Sequence, residues 1–142
     1  MTPLKIETIQ DKLFRINQNV TFIEDILRSP NEDILKDVAR YNGLEHMLQL
    51  SIQAILDIGA HILAEEFQEN PANYQDIIAA LGKHGVIEQA FATEQVEMAK
   101  FRNKLIHDYD AVDTKKVLLY ARTAPDIFRT FGKAFADFIA KK

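Results

Sequence analysis

Residues 41–62 read YNGLEHMLQLSIQAILDIGAHI. Within them Leu44, Leu48, Ile52, Ile55, Ile58 and Ile62 recur in steps of three and four, the spacing that gathers side chains on one face of an α-helix. Ile34, Val38 and Tyr41 extend the stripe upstream, which predicts one long helix from about Pro30 to about Phe67. Gly43 and Gly59 fall inside it. Each lowers helix propensity by about 1 kcal/mol relative to alanine, so each is expected at a close helix contact or a bend.

The same periodicity runs outward in both directions. Ile6, Ile9, Leu13, Ile16, Val20, Ile23 and Leu27 predict a first helix. Ser29-Pro30-Asn31-Glu32 then reads as a boundary, with Ser29 as cap, Pro30 in the first helical position and Glu32 completing a capping box. On the other side, residues 69–73 form a loop and a short helix is expected from Tyr74 to Leu81, closed by Gly82 or Gly85. A fourth helix begins near Val86 and carries Ile87, Phe91, Val96, Met98, Phe101 and Leu105. Asp108-Tyr109-Asp110 breaks it, and Asp113-Thr114 caps a last helix running to Ile139. Pro125 inside that helix, with Thr123 and Asp126 at capping-box spacing, predicts a kink or restart. No strand signal, repeat or low-complexity tract interrupts the pattern. The expected fold is all-α, a single domain over residues 1–142 built as an antiparallel bundle of about five helices.

Composition narrows the function classes. Seventeen Lys and Arg against 21 Asp and Glu give a net charge of −4, which argues against a protein that coats long nucleic acids while leaving room for one local basic site. Cysteine is absent, so disulfides and thiolate metal sites are excluded, and a reducing, cytoplasmic setting is expected. Glu7 and Asp11 stand where a secretory signal would carry its apolar run, and no 18 apolar residues run uninterrupted, so no membrane span is expected.

The stretch that carries chemistry is Met98 to Tyr109, MAKFRNKLIHDY. Asn103 and His107 lie four apart and share a helix face. Arg102 sits about 140° from His107 around an ideal helix of 3.6 residues per turn, within reach of a long side chain. Tyr109 would point away from His107 on a regular helix and converges on it only if the helix ends or unwinds near Asp108, as the Asp108-Tyr109-Asp110 break leads one to expect. Histidine titrates near neutrality and can take a proton from a ribose 2′-hydroxyl or give one to a leaving oxygen. Arginine forks onto phosphate oxygens and stabilises charge in the transition state. The scheme requires neither metal nor cofactor. Lys100, Lys104, Lys115 and Lys116 add a local positive patch. The plainer reading of the same residues is a polar helix end whose cations suit the helix dipole.

Arg102 through Tyr109 resembles the Arg-x4-His-x-Tyr motif of HEPN domains, in particular the HepT-like toxins. The resemblance extends over Tyr41–His46, Ser51–Ile62, Pro71 with Tyr74–Leu81, and Met98–Asp113. It implies a bundle that dimerises, with the motifs of two protomers lining one cleft that cleaves RNA without metal. It also implies Arg102 and His107 as catalytic residues, Asn103 and Lys104 as supporting ones, and an MntA-like nucleotidyltransferase antitoxin as partner. Tyr109 would then accept adenylyl groups, and an adduct two residues from His107 would block the cleft and repel RNA. The alternative within the same resemblance is a non-catalytic helper that binds a nucleotidyltransferase.

Other polar residues have simpler readings. Asp57 and His61 are expected as a hydrogen-bonded or partly exposed helix pair. His46 and His61 stand roughly 22 Å apart along a straight helix and cannot share a metal ion. His84 is expected as a solvated loop residue, and Glu45, Glu65, Glu66 and Glu69 as solvated faces. Phe128, Phe131, Phe135 and Phe138 have the spacing of a core or dimer seam rather than of a base-stacking surface.

Overall fold

In a computed structural model, residues 5–107 and 113–142 are described, the side chain of His107 excepted. They form six helices and no strand: α1 (Ile6–Ile26), α2 (Asn31–Lys36), α3 (Val38–Phe67), α4 (Tyr74–Lys83), α5 (Gln89–His107) and α6 (Thr114–Ala140). The bundle expected from the sequence is present, with one helix more than about five.

The extra helix comes from a break at Asp37. Its backbone is extended, at φ −103° and ψ 98°, and its carboxylate accepts the Arg40 N–H at 3.2 Å. An aspartate that satisfies an orphan N–H in this way starts a helix rather than continuing one. The single helix from Pro30 to Phe67 is therefore two, and Val38, counted in the apolar stripe, is 70% exposed at the start of α3. The boundary before α2 also differs from the expected capping box. Pro30 occupies the cap position without a side-chain bond, and the Ser29 hydroxyl accepts from the Arg40 guanidinium at 2.9 Å instead.

Every other helix packs on α3. That central place explains its apolarity: it is long and apolar enough to cross a membrane by length and composition, and half of its most apolar window is buried in the bundle. Contacts along the helices fix their directions. Lys12 pairs with Asp57 and the Lys5 N–H donates to His61 Nε2, so α1 runs antiparallel to α3. Arg122 bonds the Leu27 carbonyl and Arg129 clamps Glu24 with two hydrogen bonds of 2.6 and 2.9 Å, so α6 is antiparallel to α1, and the clamp holds the Glu24 carboxyl below the usual carboxylate range. Phe91 meets Phe131 and Phe101 meets Tyr120, so α5 and α6 are antiparallel too. Phe128, Phe131 and Phe135 are fully buried, and the aromatic stripe is core.

α6 passes through Pro125 without a restart. Proline lacks the N–H that would bond the carbonyl of Ala121, yet Pro125 is buried in the packed face and the helix continues. Thr123, expected as a cap, instead donates its hydroxyl to the Tyr120 carbonyl at 2.8 Å. The Asp113 cap is present, its carboxylate accepting the Lys115 N–H at 2.9 Å.

One arginine fastens the corner between α1 and α2. Arg122 donates to the Leu27 carbonyl at 2.6 Å, the Ser29 carbonyl at 3.0 Å and Asn31 Oδ1 at 2.7 and 3.2 Å. These carbonyls have no partner within a helix at the end of α1, so a cation there answers both hydrogen bonding and the helix dipole. Arg122→Ala is expected to cost about 1–2 kcal/mol, a fall in melting temperature of about 3–8 °C at this chain length. Thermal unfolding followed by circular dichroism checks it, and an unchanged midpoint would deny the clamp a role in stability.

Candidate active site

α4 and α5 form an antiparallel hairpin that carries the candidate residues. The Asn73 side chain caps α4 by accepting the Asp76 N–H at 2.9 Å. At the other end the chain turns through Gly85, whose φ of +73° suits glycine. Gly82, expected as a possible C-cap, lies inside α4 against Ala92 of α5. The close approach brings Tyr74, the first residue of α4, to the level of Arg102 near the end of α5.

Arg102 is half-buried there. Its guanidinium carbon lies 4.8 Å from the centroid of the Tyr74 ring, and Nη1 donates to Asn103 Oδ1 at 3.1 Å. Its Nε is buried and finds no acceptor among the described residues. Pro71, Asn73, Tyr74, Ile77, Arg102 and Asn103 line an open groove at this point. Arg102 and Asn103 are thus bonded to each other at one groove. The backbone of His107 closes α5 five residues further on, and Tyr109 lies outside the described residues.

Lys104 does not join Arg102. Two residues on, it faces a second groove between α5 and α6, shared with Lys100 and Lys116 and floored by Met98, Phe101 and Val117. Glu94, Glu97 and Asp113 line the same groove, and Lys100 is bonded to Glu97 at 3.1 Å. Three of the four lysines read from the sequence as a positive patch thus lie in this groove, met there by three carboxylates. Tyr120 lies in its wall with the hydroxyl buried, and burial pushes that phenol well above its usual range.

The remaining polar residues take structural places. Asp57 accepts from Gln53 at 2.8 Å and pairs with Lys12, while His61 accepts the Lys5 N–H at 3.1 Å. Both serve the contact of α3 with α1 rather than bonding each other. His84 is no solvated loop residue: it stacks on Phe67 at 4.2 Å and bonds Glu69 at 2.8 Å, which lowers the Glu69 carboxyl below its ordinary range. Glu69 and Glu66, expected on solvated faces, are paired with His84 and with Lys142, and Glu45 is buried. Among the described residues no three His, Asp or Glu side chains converge as metal ligands.

Tyr74 is the site residue that the sequence reading missed. It stands at an ordinary helix start, and no spacing rule connects it to a residue on the next helix. A guanidinium that lies over an aromatic face, bonds an amide and lines a groove is suited to bind a phosphate oxygen.

Known proteins share this fold. A HEPN toxin of Shewanella oneidensis, tri-AMPylated and in complex with an MNT antitoxin, superposes with a TM-score of 0.82 at 20% identity, covering 91% of this chain and 96% of that one. The cytosolic protein YutE of Bacillus subtilis superposes with a TM-score of 0.86 at 16% identity, covering 99% of this chain and 94% of that one. These likenesses show the fold. In sequence, a tRNA nuclease HepT of Aphanizomenon flos-aquae is 27% identical over 120 residues, 84% of this chain and 81% of the relative. Residues 16–134 match the family described as Ribonuclease HepT-like, and the chain belongs to that family.

Proposed function

We propose that this chain is a cytoplasmic, metal-independent endoribonuclease toxin, acting as a homodimer and silenced by an MntA-like nucleotidyltransferase. The observation that carries the reading is Arg102, stacked on Tyr74 and bonded to Asn103 at a groove, five residues before His107 on one helix. Membership of a ribonuclease family gives that geometry its chemistry. His107 takes the proton of a ribose 2′-hydroxyl, the 2′-oxygen attacks the adjacent phosphorus, and the bond from phosphorus to the 5′-oxygen breaks. The leaving 5′-oxygen takes up a proton, and Arg102 stabilises the charge on the phosphate oxygens as it develops. A second protomer would bring a second motif to the same cleft. Tyr109, carrying an adenylyl group, would place phosphate where RNA phosphate must sit. The Aphanizomenon relative is named as a tRNA nuclease, so tRNA is the first substrate to offer.

The test is induction of this chain alone, with growth and total RNA followed, and cleavage of tRNA by the purified protein in EDTA. Arrest with RNA cleavage, relieved by the partner nucleotidyltransferase and accompanied by adenylyl mass on the peptide holding Tyr109, is expected. One observation favours a second reading, a non-catalytic module that binds the nucleotidyltransferase: the carboxylates beside Lys100, Lys104 and Lys116 neutralise the patch that would hold RNA. Harmless expression of a folded dimer, with RNA intact, would decide for that module.

A further inference from the structure

The Arg102 guanidinium lies over an aromatic ring carried by another helix. Tyr74 offers its ring face at 4.8 Å, Asn103 Oδ1 accepts from Nη1 at 3.1 Å, and Nε lies buried without an acceptor among the described residues. Tyr74 is itself fixed, because Asn73 caps its helix and Gly82 lets that helix lie against Ala92. A guanidinium on an aromatic face keeps its charge and its edge N–H groups while losing its freedom to swing. It then surrenders less side-chain entropy when a phosphate arrives.

We propose that Tyr74 is a positioning residue for RNA cleavage, its ring setting the plane in which Arg102 presents N–H donors to the scissile phosphate. The proposal rests on the ribonuclease reading of Arg102 given above. The role belongs to the ring face, so phenylalanine suffices and an aliphatic side chain does not. A guanidinium freed from the ring is still a cation beside the groove and still attracts RNA. What it loses is alignment with charge that appears in the transition state, a loss that falls on kcat more than on KM.

The experiment compares wild type, Tyr74→Phe and Tyr74→Leu, with Tyr74→Met in reserve should the leucine variant fail to fold. Each is melted, assayed on bulk tRNA, and examined by NMR at the Arg102 Nε–H, assigned through its loss in Arg102→Lys. Tyr74→Leu is expected to lower kcat about tenfold with KM within about twofold, and Tyr74→Phe to stay within about twofold of wild type. The Nε–H resonance should lie upfield under the ring current in wild type and Tyr74→Phe, and return to the ordinary arginine position in Tyr74→Leu. A folded Tyr74→Leu protein that cleaves at the wild-type rate, or a resonance that does not move, would overturn the proposal. Wild type that cleaves no RNA would overturn the ribonuclease reading instead. The resonance alone then decides whether Tyr74 holds Arg102, an upfield position supporting the clamp and an ordinary one ending it.

Discussion

His107→Ala should abolish growth arrest and lower tRNA cleavage by the purified protein by about 10²–10⁴-fold, the usual contribution of a positioned general acid or base. Arg102→Ala should cost about 10²–10³-fold, as removal of one donor to a developing oxyanion does. Arg102→Lys should recover little of this, because an ammonium restores charge without the planar fork that the Tyr74 ring orients. The doubly substituted protein should fall no further than the worse single variant, since the two side chains serve one transition state and their effects do not add. Single-turnover cleavage of tRNA, with melting temperatures alongside, checks all four variants. His107→Ala protein that still arrests growth would sink the assignment, whatever its folding.

The parts of this molecule that were legible in the sequence are those where local pattern and tertiary packing agree. Ile9, Ile16, Val20 and Ile23 repeat at helical spacing, and all are buried in the core. Phe128, Phe131 and Phe135 do the same on α6. The sequence misled where two local rules competed. Asp37 lies inside an unbroken apolar period, yet its carboxylate caps the N–H of Arg40 and splits the helix. Thr123 and Asp126 have capping spacing, yet Thr123 turns back to the Tyr120 carbonyl and burial of Pro125 keeps α6 whole. Around the candidate site the division is similar. Arg102 and Asn103 are neighbours on one helix, and their contact follows from that. Tyr74 reaches Arg102 only because α4 and α5 pack closely, a fact of three dimensions. Lys104 shows the converse: inside the motif in sequence, it faces the groove on the other side of α5.

Three glycines test how far that close packing governs the molecule. Gly82→Ala should destabilise the protein by about 1–3 kcal/mol, the range for overpacking a filled contact. A Cβ built there would stand 2.5 Å from Ala92 Cβ, and an alanine Cβ cannot move without its backbone. Gly59→Ala should cost less: its nearest neighbours would be the side-chain atoms Leu81 Cδ1 at 2.8 Å and Ile77 Cγ2 at 3.1 Å, which can give by a few tenths of an ångström where the Ala92 Cβ cannot. Gly43→Ala should stabilise by about 0.5–1 kcal/mol, since a Cβ meets nothing within 4 Å and the helical backbone loses less entropy on folding. Chemical denaturation of the three variants measures the order directly. Equal effects at Gly43 and Gly82 would show that α4 and α5 do not meet as closely as the structure has them. Gly82→Ala carries a second consequence, because separating α4 from α5 also separates Tyr74 from Arg102. Its cleavage rate should fall under conditions where the protein remains folded, while Gly43→Ala, whose Cβ meets nothing within 4 Å, should cleave at the wild-type rate.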